Sequence, residues 1–186
     1  MGPSRYTREL MRNWLKLAAL VLVGLGVAQV LKANGASGSG ASPENREAPS
    51  FDLPGLDGTT LGLSALRGKV VAVNFWATWC APCNEELPAL AQAWREVRGR
   101  CQEIVGVTEE SAPDDVAATV KRFAIPYPVL LDKRGEVART FGVTEFPRTY
   151  IVDPDGRVRK VFRGAVQRAR LLEAMAEFLP PGCTGS

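Results

Sequence analysis

The chain has no histidine among its 186 residues. That absence removes the Ser-His-Asp and Cys-His pairs that activate nucleophiles, imidazole metal ligands, and the Cys-x-x-Cys-His signal for haem attachment. Aromatic residues are sparse at 8%, against 46% hydrophobic residues overall. This is enough apolar material for one globular core and an appendage, and not for two domains. An excess of either charge is also missing once the N-terminus is set aside. Arg5, Arg8, Arg12, Lys16 and Lys32 face only Glu9 in the first 32 residues, which leaves 18 basic and 19 acidic residues elsewhere. The body therefore has no basic surface of the kind that binds nucleic acid, and no nucleic-acid partner is expected. No internal repeat is visible. What remains for chemistry is carboxylates and four cysteines, Cys80, Cys83, Cys101 and Cys183.

From Trp14 to Leu31 only Lys16 and Gln29 interrupt an apolar run. As a helix it would be about 27 Å long against a hydrocarbon core of about 30 Å, a marginal span. The basic flank precedes it, so the positive-inside rule puts Met1 in the cytoplasm and the remainder outside. A single-pass anchor in the cytoplasmic membrane is the first reading. A cleaved signal peptide and an amphipathic core helix follow in that order, and Ser39-Gly40-Ala41 keeps cleavage open. No cysteine lies near the end of the run to accept a lipid. Residues Ala33 to Pro49 are rich in Gly, Ser and Pro and read as a tether with a reach of roughly 20 to 25 Å. The divisions expected are 1–32 for the basic flank and anchor, 33–48 for the linker, 49–180 for the folded domain and 181–186 for a tail.

Beyond the tether, strand and helix patterns alternate, which is the signature of an α/β domain. Val70 to Phe75 is apolar except for Asn74 and rich in β-branched residues, as a strand buried on both faces should be. Trp79-Cys80-Ala81-Pro82-Cys83 follows at once. A helical pattern then places Leu87, Leu90, Ala91, Trp94 and Val97 on one face, so the first two cysteines sit at a strand-to-helix turn. Further expectations are a strand over Glu103 to Val107 and a helix from Asp114 to Phe123 started by Pro113. A short strand over Pro128 to Leu131 and a short helix over Gly135 to Phe141 come next. Strands Thr149 to Val152 and Arg157 to Phe162 flank the turn Asp153-Pro154-Asp155-Gly156. A closing helix carries Leu171, Leu172, Met175, Phe178 and Leu179.

The run Val73-Asn74-Phe75-Trp76-Ala77-Thr78-Trp79-Cys80-Ala81-Pro82-Cys83, with Glu86, Pro88, Phe146-Pro147 and the Asp153 to Gly156 turn, resembles the TlpA/ResA/DsbE-like branch of the thioredoxin superfamily. The resemblance covers roughly residues 48 to 180. It implies a thioredoxin-like fold, a central mixed sheet flanked by helices with an N-terminal strand extension, and thiol-disulfide exchange as the activity.

Such exchange requires a thiolate. At the first turn of a helix, unpaired backbone N–H groups and the positive end of the dipole would stabilise one on Cys80. Cys83, one turn later and more buried, is then close enough to resolve a mixed disulfide at Cys80. Pro82 supplies no N–H and fixes φ at a helix start, so it should influence thiolate stability. Glu86, one turn past Cys83, is the candidate proton relay, and the resemblance favours it because this branch places an acid there while Asn74 stands where ordinary thioredoxins carry a buried Asp. Its other reading is a solvated helical carboxylate.

By resemblance, Pro147 is the cis proline beside the cysteine pair, where an extended substrate pairs with backbone. Phe146 and Trp79 flank that surface, and Phe146 is bulkier than the residue common there. Pro88 resembles the proline that kinks the active-site helix. In the implied fold Cys101 and Cys183 fall at the opposite pole, where they are either a structural disulfide or two unrelated cysteines.

The implied function is reduction of extracytoplasmic, periplasmic protein disulfides, either the haem-binding cysteines of apocytochrome c or copper-site cysteines during oxidase assembly. A membrane thiol transporter of the CcdA or DsbD kind would be the electron donor. No cofactor is expected beyond the Cys80–Cys83 pair. Two rivals are a peroxiredoxin-like peroxidase, disfavoured because Thr78 is only two residues before Cys80, and a copper metallochaperone using Cys80 and Cys83. A four-ligand zinc site is not expected.

Overall fold

The computed structural model describes residues 44–109 and 111–183. The expected anchor and most of the expected linker lie outside the described residues. Among the described residues no helix is long and apolar enough to cross a membrane.

Among the described residues, seven strands and four α-helices alternate. They are β1 (Asp52–Pro54), β2 (Thr60–Gly62), β3 (Val70–Trp76), α1 (Ala81–Val97), β4 (Gln102–Glu109), α2 (Pro113–Arg122), β5 (Val129–Asp132), α3 (Glu136–Phe141), β6 (Arg148–Val152), β7 (Val158–Arg163) and α4 (Arg168–Ala176). β1 and β2 form a small antiparallel ribbon, and the other five make one sheet in the order β5-β4-β3-β6-β7. β3 is parallel to β4 and antiparallel to β6, so the sheet is mixed.

All seven residues of β3 are buried, which explains its lack of polar alternation. Its period of two divides the core. Val70, Ala72 and Trp76 pack with Leu87, Leu90, Ile151, Leu171 and Met175, the side of α1 and α4. Val71, Val73 and Phe75 pack on the other face with Val107, Leu130, Phe141 and Tyr150. There Phe75, Phe141 and Tyr150 meet at tilted or edge-on angles, with centroids 5.0 to 5.8 Å apart, the geometry aromatic quadrupoles favour. Covering both faces of β3 fixes its position, and the turn at its end is placed with it.

α1 runs without interruption through Pro88, and its last turn carries Arg95. The β6–β7 turn is closed by Gly156 N–H donating to Asp153 O and by Arg157 N–H donating to Asp153 Oδ1. Gly156 has φ +81°, a conformation other residues rarely adopt.

Two expectations need correction. The closing helix ends at Ala176 rather than Leu179. Pro180 and Pro181 cannot continue it, and Phe178 and Leu179 N–H turn back to the carbonyls three residues earlier. The linker also ends earlier than residue 48. Asn45 N–H donates to Val158 O, Val158 N–H to Arg46 O and Ala48 N–H to Gly156 O, and Ala48 is buried. The polar composition of 44–47 conceals this, because the attachment uses backbone groups at the edge of β7 and no apolar side chain before Ala48.

Candidate active site

The turn after β3 ends at Cys80, which serves as the N-cap of α1 with extended backbone angles. Its Sγ accepts a hydrogen bond from Cys83 N–H at 3.2 Å, one of the helix's first-turn donors with no partner inside the helix. Pro82 occupies the first turn, where its missing N–H costs nothing, and no acidic residue lies in that turn to oppose a thiolate. Cys80 and Cys83 are joined as a disulfide with Cα atoms 5.3 Å apart. Cys80 is 5% exposed and Cys83 fully buried, so only the first sulfur can meet a partner directly.

Around the pair, the turn is tied down by side chains that sequence patterns do not connect. Ser111 Oγ accepts from Thr78 N–H at 3.2 Å, and Asn84 Nδ2 donates to Thr78 O at 3.2 Å. Trp79 stays 65% exposed, alone among the large hydrophobic side chains of the described residues. Its ring meets Phe146 edge-on at 5.8 Å. The Phe146–Pro147 peptide is cis, and because Arg148 pairs with Phe75, that bond lies at the same end of the sheet as the cysteines. Trp79, Pro82, Phe146 and Pro147 thus gather with Cys80 at one pole.

Glu86 is buried at 3% exposure on the α1 face turned to the sheet. Asn74 Nδ2 donates to its Oε1 at 2.7 Å, and Val166 N–H donates to its Oε2 at 2.8 Å. Asn74 also donates to Thr149 Oγ1 at 2.9 Å. Burial pushes the carboxyl up to about 7, against the lowering effect of both hydrogen bonds. A solvated helical carboxylate is therefore not what the fold makes of it. Asn74 was legible as the polar residue in an apolar strand. Thr149 and Val166 had no sequence signal, since each reaches Glu86 or its partner Asn74 across a long separation.

Cys101 and Cys183 are also joined, with Cα atoms 5.9 Å apart. Val70 N–H donates to Cys101 O, which places this bond at the start of β3, about 20 Å of strand away from the active pair. Among the described residues no group of three or more Cys, Asp or Glu side chains is placed to hold a metal ion.

A mixed sheet of this order, with a redox-active Cys-x-x-Cys pair capping the helix after its central strand and a cis proline at the same pole, is that of a thioredoxin-like thiol-disulfide oxidoreductase. The chain belongs to the AhpC/TSA family, which its residues 45–161 match. Curated relatives include the thiol-disulfide oxidoreductase ResA of Bacillus subtilis, 32% identical over 80% of this chain and 82% of the relative. ResA of Bacillus thuringiensis is 32% identical over 73% and 78%. Among solved structures, a thiol:disulfide interchange protein of the thioredoxin family from Chlorobium tepidum superposes with a TM-score of 0.68. It is 29% identical over 75% of this chain and all of its own.

Proposed function

We propose that this protein is a membrane-tethered, extracytoplasmic reductase of protein disulfides, with Cys80 as nucleophile, Cys83 as resolving thiol and Glu86 as proton relay. The observation that carries the reading is the pairing of a marginally accessible Cys80 at a helix N-terminus with a buried carboxyl poised near neutrality on the same helix. In the reduced enzyme the Cys80 thiolate attacks a substrate disulfide and expels one substrate thiolate, forming a mixed disulfide. The Cys83 thiol then gives its proton to the Glu86 carboxylate, and its sulfur attacks Cys80 Sγ. The second substrate thiolate leaves and is protonated by solvent. Two electrons pass from the enzyme dithiol to the substrate, and the pair ends as the disulfide. No other cofactor takes part.

Trp79, Phe146 and the Pro147 backbone form the platform on which an extended substrate segment lies beside Cys80. The family resemblance supports apocytochrome c or copper-site proteins as substrates and a CcdA- or DsbD-type membrane protein as donor. The apolar run Trp14 to Leu31 supports an anchor in the cytoplasmic membrane with the domain on the periplasmic side. Reaction of the reduced protein with an oxidised Cys-x-x-Cys-His peptide tests this. The peptide should be reduced, and Cys83→Ser should accumulate a Cys80 mixed disulfide visible by mass. Failure of either result contradicts the reading.

A further inference from the structure

Arg148 directly follows the cis proline and is only 4% exposed, so the fold withdraws a permanently charged guanidinium from water beside the pole where the cysteines lie. Its Nη2 donates to Glu145 Oε1 at 2.6 Å, while its Nε has no hydrogen-bond partner within the protein. The Glu145 side chain is 59% exposed. The pair therefore joins a buried cation to a solvent-facing carboxylate three residues earlier, and Phe146–Pro147 is the stretch of chain it encloses.

Glu145 is the charge that compensates Arg148. On the sheet, Arg148 lies opposite Phe75 of β3 and Arg163 of β7. Residues directly opposite in antiparallel strands share a face, so Arg148 stands between a core aromatic ring and a second, exposed cation. Neither can neutralise it. Replacing a buried ion pair by apolar side chains of similar volume is often neutral or stabilising, whereas removing one partner is strongly destabilising. Stability alone thus does not account for an arginine here; what the pair adds is geometry. Behind the cis bond Pro147 O accepts from Gly164 N–H at 2.9 Å, which fixes the chain to the end of β7. Ahead of it the ion pair ties residue 145 to β6. Between these attachments Phe146 projects to Trp79, their ring centroids 5.8 Å apart.

We propose that Arg148 is a positioning residue for disulfide exchange: held by Glu145, it clips the cis-proline loop to β6 and sets where Phe146 and the Pro147 backbone meet a polypeptide substrate beside Cys80. The proposal rests on the platform role given to Phe146 and Pro147 above. Its consequence is selective. A polypeptide disulfide needs the platform to orient it toward the Cys80 thiolate, and orientation is where a small displacement of the loop costs rate. A small disulfide with no flanking chain needs only the thiolate. Loosening the clip should therefore separate the two substrates.

Glu145→Gln and the double variant Glu145→Gln/Arg148→Met, both in the full chain, test this. The rate of the reduced protein with an oxidised Cys-x-x-Cys-His peptide is compared with its rate with hydroxyethyl disulfide, and thermal midpoints are recorded alongside. Glu145→Gln leaves the guanidinium unpaired, and should lower the midpoint and slow the peptide by about fivefold or more while hydroxyethyl disulfide stays within about twofold. The double variant removes the buried charge with its partner. It should recover the midpoint and still reduce the peptide slowly, and it serves alone if Glu145→Gln does not fold. Peptide rates that recover with the midpoint, or that never fall, would show that the pair only supports the fold and would overturn the proposal. So would an equal loss with both disulfides, which would place the effect at the cysteines instead. If the unaltered protein reduces hydroxyethyl disulfide but not the peptide, the platform reading fails and this inference goes with it.

Discussion

Glu86 is held by two donors and still titrates near neutrality, because withdrawing a carboxylate from water outweighs two hydrogen bonds when neither donor is charged. That balance has a consequence for stability. The ordinary value is 4.5 and the folded value about 7, so between these pH values the folded state binds more protons than the unfolded one. Stability from this group is present below pH 4.5 and is lost as pH rises through 7, by up to about 3 kcal/mol. Denaturant titrations of the oxidised protein, in which the thiols do not ionise, should show this fall, and Glu86→Gln should flatten it. The cysteine pair, Pro82 and the oddity of Asn74 could be read from neighbours in the chain. What Glu86 would become could not, since its environment is set by Val166, 80 residues away, and by the strand opposite.

Among the elements, β3 was readable as a continuous β-branched apolar run because both its faces are buried, and α1 by the 3.6 period of a helix buried on one face. The β6–β7 hairpin was readable because Asp153 and Gly156 meet specific demands of its turn. Short pieces with few core side chains were not: the β1–β2 ribbon has three residues in each strand, and the backbone of Asn45 to Ala48 bonds to the β6–β7 hairpin. The tail after α4 was legible only through Cys183, for which a structural disulfide with Cys101 was one of two open readings. There the Cys101–Cys183 bond closes a loop with a sequence separation of 82 residues. Cross-linking a loop of that size restricts the unfolded chain, and its removal typically costs about 2–4 kcal/mol. Cys183→Ser should therefore lower the unfolding free energy by about that amount while leaving disulfide exchange at Cys80 unchanged, because the two bonds sit at opposite ends of β3. Guanidinium melts and an insulin-reduction assay on the same sample separate the two effects. Equal loss of activity and stability would mean that the poles are coupled.

Across the whole molecule, the residues from Ser42 onward form one compact unit. That unit contains every residue of the site. A protein beginning at Ser42 should fold and exchange disulfides as the full chain does. One beginning at Ser50 should be less stable by on the order of 1–2 kcal/mol, since it gives up three backbone hydrogen bonds to the β6–β7 hairpin and the burial of Ala48. Comparing the two melting curves checks where the domain starts. The division of labour between the poles follows from the sheet: the C-terminal end of β3 presents a thiol pair, an exposed tryptophan and the cis-proline segment, and its N-terminal end carries the second disulfide. The direction of electron flow is the claim on which the functional account turns. The equilibrium potential of the Cys80–Cys83 pair, measured with mass-tagged thiols in the Ser42–Ser186 protein against dithiothreitol and glutathione buffers, tests it most directly. A reductase predicts a value near or below about −270 mV, whereas a value near about −120 mV would make the protein an oxidant and contradict the account.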